Sequence, residues 1–187
     1  MRLRRSYMKQ MVSLPTRRLK FCDESGAHLG MTRLYGRAAP GQRVIEGTPN
    51  YSGAHYTMMS TLSWDGITAP WLFEGAMTGQ AFVTYASLIL APTLRRGDIV
   101  LIDNLSAHKA TEAKLAIEDR DASLIFLPPY SSDFNPIELS WSKVKAALRK
   151  ARARSFDALL DALAIALRSV SADDARGWFS HCGYTVH

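Results

Sequence analysis

Cysteine is scarce in this chain, with only Cys22 and Cys182 among 187 residues. Two cysteines so far apart do not make a disulfide framework, and they lack the paired spacing of a zinc site. Long apolar runs are also missing, because Asp161 interrupts the last apolar segment and Pro92 follows Ile89-Leu90. No stretch supplies the roughly 20 apolar residues that a membrane span needs. These absences favour a protein of a reducing compartment, and we expect a cytoplasmic location without membrane contact.

Acidic residues are absent from the first twenty positions, which hold seven cations. A second cluster of cations follows Glu138, with no acid until Asp157. Such one-sided charge is typical of surfaces that bind polyanions. A solvated helix face and a disordered start explain each run about equally well. The charge alone therefore leaves nucleic-acid binding and simple solvation both open.

The length of 187 residues, nearly half of them apolar, fits one domain with a sizeable core. We divide the chain into a basic tail over residues 1–18 and one globular domain over 19–187. A short strand over 19–23 begins that domain, followed over 26–50 by an irregular excursion or an exposed hairpin. Alternating polarity then predicts a hairpin whose strands lie at 56–64 and 67–73.

The second half alternates strands and helices. Buried strands are predicted at 98–103 and 123–127, and helices at 111–118, from Thr78, from Asn135 and from Ser155. The predicted class is α/β, with three antiparallel strands followed by alternating helices and parallel strands, and helices on both faces of a mixed sheet. This element order is typical of a ribonuclease-H-like domain.

The turn before one of these helices ends in Asn135-Pro136-Ile137-Glu138. Asn is a good N-cap, Pro suits the first helical position, and Glu at the third position closes a capping box. This local pattern predicts that Asn135 caps the helix. It equally places the carboxylate of Glu138 at the start of that helix.

Two more acids lie at predicted strand ends, Asp23 and Asp103. Ligand sites in open α/β sheets lie beyond the carboxyl ends of strands. Carboxylates from two neighbouring strands, with Glu138 from a helix packed across them, would supply the oxygen ligands that Mg²⁺ or Mn²⁺ prefers. Two such ions support in-line displacement at a phosphodiester without a covalent nucleophile.

Each of these acids also has a structural interpretation, since Asp103-Asn104 suits a turn and Asp23 can cap the segment after its strand. Four other acids compete with them for a site: Glu24, Asp65, Asp98 and Asp133. His108 either orients a phosphate or an acid, or serves as a helix-start or surface residue. Asn104, His108 and Asn135 are therefore secondary candidates.

Three motifs together resemble the signatures of insertion-sequence-630 transposases, a family of the mariner superfamily. They are Phe21–Ser25 (FCDES), Leu101–Lys109 (LIDNLSAHK) and Pro128–Glu138 (PPYSSDFNPIE). The second and third acids are separated by 34 residues, the interval of this family's DDE triad. The resemblance covers nearly the whole chain from about residue 19.

The resemblance implies a ribonuclease-H-like catalytic domain in which Asp23, Asp103 and Glu138 bind two Mg²⁺ or Mn²⁺ ions. It further implies cleavage of DNA at transposon ends and strand transfer into target DNA, usually at TA sites, by a homodimer near the bacterial nucleoid. Full-length members carry helix-turn-helix domains that twenty residues before the first strand cannot hold. We therefore expect end recognition to come from another chain or from a frameshift-fused upstream helix-turn-helix product, or to be missing.

Four cations on the helix after Glu138 are candidates for DNA contact. Lys145 lies two turns after Glu138 near the same face and is the strongest of them. The others are Lys143, Arg149 and Arg152.

Two other functions fit the same residues. A catalytically silent DNA-binding remnant or inhibitory subunit would bind DNA in a salt-sensitive manner without cleaving it. A ribonuclease-H-like nuclease or resolvase would hydrolyse strands but never join them.

Overall fold

The computed structural model describes residues 2–184, which form a five-stranded sheet flanked by helices. The strand order is β3-β2-β1-β4-β5. The strands β1, β2 and β3 are antiparallel neighbours, whereas β4 and β5 join parallel to β1. The strands are β1 (Leu19–His28), β2 (His55–Ser63), β3 (Gly66–Glu74), β4 (Ile99–Ile102) and β5 (Ser123–Phe126). This is the predicted mixed sheet.

Strand β1 is longer than predicted and continues past Asp23 to His28. Its parallel pairing with β4 ends at Phe21, opposite Leu101. Beyond that point only β2 pairs with β1. Asp23 is therefore inside a strand and not at its end, but it lies two residues beyond the parallel ladder, where β1 and β4 diverge and leave room for a ligand.

Helices cover both faces of the sheet. Phe21 and Leu101 belong to the core beneath α1, α4, α5 and α6, whereas Cys22 and Val100 belong to the core beneath α2 and α3. Because side chains alternate along a strand, Asp23 points to the α4 side and Glu24 to the opposite side. The helices are α1 (Arg2–Val12), α2 (Gly79–Tyr85), α3 (Thr111–Glu118), α4 (Ile137–Ala151), α5 (Phe156–Arg168) and α6 (Ala172–His181).

The basic N-terminal segment, expected to be a tail, is mostly a helix. Helix α1 spans Arg2–Val12 and buries Tyr7 and Met11 in the main core. It therefore packs onto the domain and does not hang free of it. Residue 1 of the predicted tail and residues 185–187 of the predicted domain lie outside the described residues.

Side-chain caps begin three helices. Thr78 accepts from the amide of Ala81 and Ser155 from that of Ala158, as predicted. Ser171 and Asp174 form a capping box at α6. Residues 29–54 contain no helix or strand, so the irregular excursion begins after residues 26–28, which belong to β1. Within residues 2–184, no helix combines the length and the apolar character required to cross a membrane.

Candidate active site

One cleft, located beyond the end of β4 and where β1 leaves the parallel ladder, contains all three predicted acids. The cavity has a volume of about 420 Å³. Asp23 enters it from β1, Asp103 from the residue after β4, and Glu138 from the first turn of α4. Asn104 and Asn135 also line it, as does the loop 127–132. The three acids are thus brought together from three separate elements.

Asp23 is the most buried of the three acids, with 6% of its surface exposed. Burial raises its pKa well above the ordinary value, and the nearby carboxylates of Glu138, Glu24 and Asp103 raise it further. The Nδ2 of Asn135 donates to Asp23 Oδ2 at 3.3 Å. Ionised Asp23 therefore lies among like charges, an arrangement that a bound cation would relieve.

Glu138 stays exposed on the wall of this cleft. Partial removal from solvent raises the pKa of Glu138, and the positive charge of Lys145 opposes this shift. The negative charges of Asp103 and Glu24 raise the pKa further. Its backbone N–H donates to the carbonyl of Asn135 at 3.1 Å. Glu138 therefore contributes a carboxylate that is close to Asp103 and open to solvent.

The predicted capping box at α4 is wrong. Helix α4 begins after Pro136 and has no side-chain cap. The side chain of Asn135 turns away from the helix and is 3% exposed, with its Nδ2 on Asp23 and its Oδ1 without a described hydrogen-bond partner. Asn135 therefore does not cap α4 but links the turn before this helix to Asp23 in the acid cleft.

His108 is completely buried, and of the two roles left open for it the structure shows contact with an acid and not a surface position. Its Nδ1 donates to Asp103 Oδ1 at 2.5 Å, and its ring packs on Phe82 with centroids 4.8 Å apart. The Nε2 lies 3.2 Å from Glu24 Oε2, within ion-pair distance but without the alignment of a hydrogen bond. His108 thus bridges Asp103 and Glu24 from the opposite side of the sheet.

The charge of His108 is set by these neighbours. Burial alone would lower its pKa, but the hydrogen bond to Asp103 and the nearby carboxylates of Glu24 and Asp103 outweigh burial and raise the pKa to about 9. The imidazolium is therefore the form present at neutral pH. It balances one of the negative charges at the edge of the cleft.

The four predicted DNA-contact cations divide into two pairs. Lys143 donates to Asp174 and to the carbonyl of Ser169, and Arg152 forms an ion pair with Glu46. Lys145 and Arg149 instead line a second cavity of about 750 Å³. The first pair is thus engaged in contacts within the chain, and the second pair faces open space.

Sequence reasoning missed several residues around these cavities. His28 and His55 face each other across the β1–β2 ladder and line the cavity of Lys145 and Arg149. Their signal was hidden because β1 was predicted to stop at residue 23. Glu24 was named only as a competing acid, although its place next to Asp23 on the alternate face already pointed to a separate partner.

Chemically, the cleft offers carboxylate oxygens and the amide oxygens of Asn104 and Asn135, the kinds of ligand that a hard divalent cation prefers. Within residues 2–184, no three Asp, Glu, His or Cys side chains are yet arranged so that they could hold a metal ion. Burial and the repulsion from nearby carboxylates, which together raise the pKa of Asp23, oppose such convergence without a cation. The residue types therefore fit a metal site whose carboxylates would have to converge on binding.

Replacing Asp23 by Asn should stabilise the metal-free protein. Because the folded pKa of Asp23 is raised, folding favours its protonated form, and stability is lost as pH rises from about 4. Asn cannot ionise and can still accept from Asn135. We expect the Tm of Asp23→Asn at pH 7 to exceed the wild-type Tm by a few degrees, about 2–4 °C per kcal/mol relieved.

Asp65→Asn, at an exposed turn position, is the matched control for this measurement. Thermal unfolding in a chelator should show no gain for the control, and the gain for Asp23→Asn should disappear near pH 3. A lower Tm for Asp23→Asn than for wild type at pH 7 would contradict the expected cost of ionised Asp23 in the folded protein.

Comparisons with known proteins agree with this geometry. A family model described as DDE superfamily endonuclease matches residues 18–160, which include all three acids. No curated protein sequence matches the chain significantly.

Several solved structures are similar. The pre-cleavage Mos1 transpososome has 15% identity and a TM-score of 0.75, covering 98% of this chain and 58% of that chain. The Mos1 mariner paired-end complex with Mn has 16% identity and a TM-score of 0.73, covering 96% and 58%. The catalytic domain of Mos1 mariner transposase has 14% identity and a TM-score of 0.68, covering 96% and 83%.

At these identities the likeness concerns the fold, and it confirms the predicted ribonuclease-H-like class. The chain spans 58% of the length of the matched transpososome and paired-end chains. The family model gives evidence of family membership and not only of the fold, because it matches most of the sequence, from the start of β1 into α5. On that match, the chain belongs to the DDE superfamily of endonucleases.

Proposed function

We propose that this chain is the catalytic domain of a transposase of the insertion-sequence-630 family, which cleaves and joins DNA strands. The observation that carries the proposal is that Asp23, Asp103 and Glu138 line one cleft. Membership of the DDE endonuclease superfamily supports it. The likeness to Mos1 structures also supports the proposal, since these structures include a pre-cleavage transpososome and a strand transfer complex.

Asp23, Asp103 and Glu138 would hold the metal, with the free Oδ1 of Asn135 nearby. Mg²⁺ and Mn²⁺ are named in Mos1 paired-end complexes. When bound, two such ions would activate a water and stabilise the departing oxygen of a phosphodiester. The residues around the acids would keep them in place: His108 holds Asp103, and Asn135 holds Asp23.

The reaction proposed for this cleft has two steps. Water attacks phosphorus at the transposon end, and the bond to the 3′ oxygen breaks to leave a 3′ hydroxyl. That hydroxyl then attacks a phosphodiester of target DNA, proposed to lie at a TA site, and displaces its 3′ oxygen. Both steps exchange one P–O bond for another, so this chain needs no covalent nucleophile.

The DNA would leave the acid cleft along α4. Lys145 lies two helical turns from Glu138, about 10 Å along the axis, and Arg149 follows one turn later. Both line the second cavity together with His28 and His55. Cations at this spacing can contact successive backbone phosphates without reading sequence. Lys145 and Arg149 are therefore the DNA contacts that we favour over Lys143 and Arg152.

Further parts of the proposal rest on the family resemblance alone. They are end recognition by a helix-turn-helix product, pairing of two ends by a homodimer, and a cytoplasmic location near the nucleoid. A size measurement of the protein with and without DNA tests the homodimer.

The decisive experiment incubates the purified protein with Mn²⁺ and labelled duplex DNA and measures both nicking and joining. Wild type should nick and join, and Asp103→Asn should do neither. Nicking without joining would favour a nuclease or resolvase. Salt-sensitive binding without any metal-dependent cleavage would favour a silent remnant or inhibitory subunit. Full activity of Asp103→Asn would overturn the proposed site.

A further inference from the structure

Helix α1 is joined to the turn before α4 through one arginine. The guanidinium of Arg4 meets the Asp133 carboxylate in a fork, with Nη1 at 2.8 Å from Oδ1 and Nη2 at 2.5 Å from Oδ2. The same Nη1 donates to the carbonyl of Tyr130 and to Ser131 Oγ, each at 3.1 Å. A bidentate charged pair fixes direction as well as distance. Arg4 thus holds three residues of one turn.

Aromatic packing strengthens the same contact. The Arg4 guanidinium lies 4.2 Å from the ring centroid of Phe134, and the ring of Tyr7 stacks on Phe134 at 5.7 Å. The hydroxyls of Tyr7 and Tyr184 lie 2.8 Å apart, and Tyr184 donates to the Phe134 carbonyl at 2.7 Å. The turn is therefore held through its side chains and through its backbone.

This turn needs such support. Tyr130 has a φ of 54°, in the left-handed region that residues other than glycine disfavour. Its ring is fully exposed and cannot offset that cost by packing. The contact from Arg4 reaches the backbone carbonyl of this strained residue. Removing Arg4 would therefore release the turn at its least favourable point.

The turn leads directly to the acid cleft. Asn135 is the next residue after Phe134, and its side chain donates to Asp23. The carbonyl of Asn135 accepts from the N–H of Glu138. Since α4 has no side-chain cap, the place where Glu138 enters the cleft depends on this turn.

We propose that Arg4, through Asp133, is a positioning residue that fixes Asn135 and Glu138 in the acid cleft. The sequence suggested DNA binding for the N-terminal cations, but Arg4 directs its charge inside the chain. The metal-binding consequence rests on the proposed function, whereas the ordering of the turn does not. Helix α1 is then part of the active-site framework.

The test compares Arg4→Ala with the matched control Arg5→Ala, which removes an exposed cation from the same helix. Amide hydrogen exchange over residues 131–138 should accelerate at least tenfold in Arg4→Ala and stay unchanged in Arg5→Ala. Mn²⁺ titration should show weaker binding by Arg4→Ala alone. Arg4→Lys should recover only part of the protection, because an ammonium cannot form the fork. Equal exchange in the two Ala variants would overturn the proposal.

Asp133→Asn removes the same ion pair by a substitution at an exposed residue. This variant is used in place of Arg4→Ala if Arg4→Ala fails to fold. A double-mutant cycle between Arg4→Ala and Asp133→Asn should show strong coupling in the exchange rates, and simple additivity would count against the clamp. If wild type neither binds Mn²⁺ nor cleaves DNA, the proposed function fails. The exchange comparison still decides the role of Arg4, because it requires no metal.

Discussion

Replacing Glu138 by Gln should abolish metal-dependent cleavage and joining while the domain stays folded. A side chain that only supports a metal ligand typically changes activity by about 10–100-fold, so loss of a ligand should exceed about 100-fold. Gln keeps the shape of Glu but supplies a weaker, neutral oxygen. The measurement is the rate of nicking with Mn²⁺, at metal concentrations high enough to reveal any loss of affinity.

Folding should be unaffected because Glu138 makes no cap and remains exposed. The free energy of unfolding should stay within about 0.5 kcal/mol of wild type, as for other surface substitutions. Glu112→Gln, in the first turn of α3, is the matched control. Cleavage by Glu138→Gln within tenfold of that control would remove Glu138 from the proposed metal site.

Replacing His108 by Ala should slow cleavage by about 10–100-fold, the range observed for residues that orient metal ligands. The change removes the hydrogen bond that holds Asp103 Oδ1 and leaves Glu24 without its buried partner. It also removes a positive charge that opposes a bound cation. We therefore expect the loss in the rate at saturating Mn²⁺ and little weakening of Mn²⁺ affinity.

Two comparisons separate positioning by His108 from simple stability. His108→Asn can still donate towards Asp103 and should recover part of the rate. His181→Ala, at the exposed end of α6, should behave as wild type. If His108→Ala lowers the free energy of unfolding but leaves the rate per folded molecule unchanged, His108 serves only the packing against Phe82.

Much of the fold could be predicted because local patterns encode it. Alternating polarity located the β2–β3 hairpin. Thr78 and Ser155 cap their helices because a cap involves neighbours only three residues away. The mixed strand order was also predictable from the order of elements.

The sequence by itself identified most of the strands and helices and the three acids Asp23, Asp103 and Glu138, since spacing and periodicity are local properties of a chain. Helix α1 and the extension of β1 past Asp23 appeared only in the structure. Tertiary structure alone decided which partner each polar group takes. Asn135 bonds to Asp23, 112 positions away, and not to the adjacent helix, while Arg4 reaches Asp133, 129 positions away. At Asn135, which is 3% exposed, a local capping pattern competed with the distant contact. The distant partner prevailed because a buried polar group must be satisfied by whatever the fold brings to it.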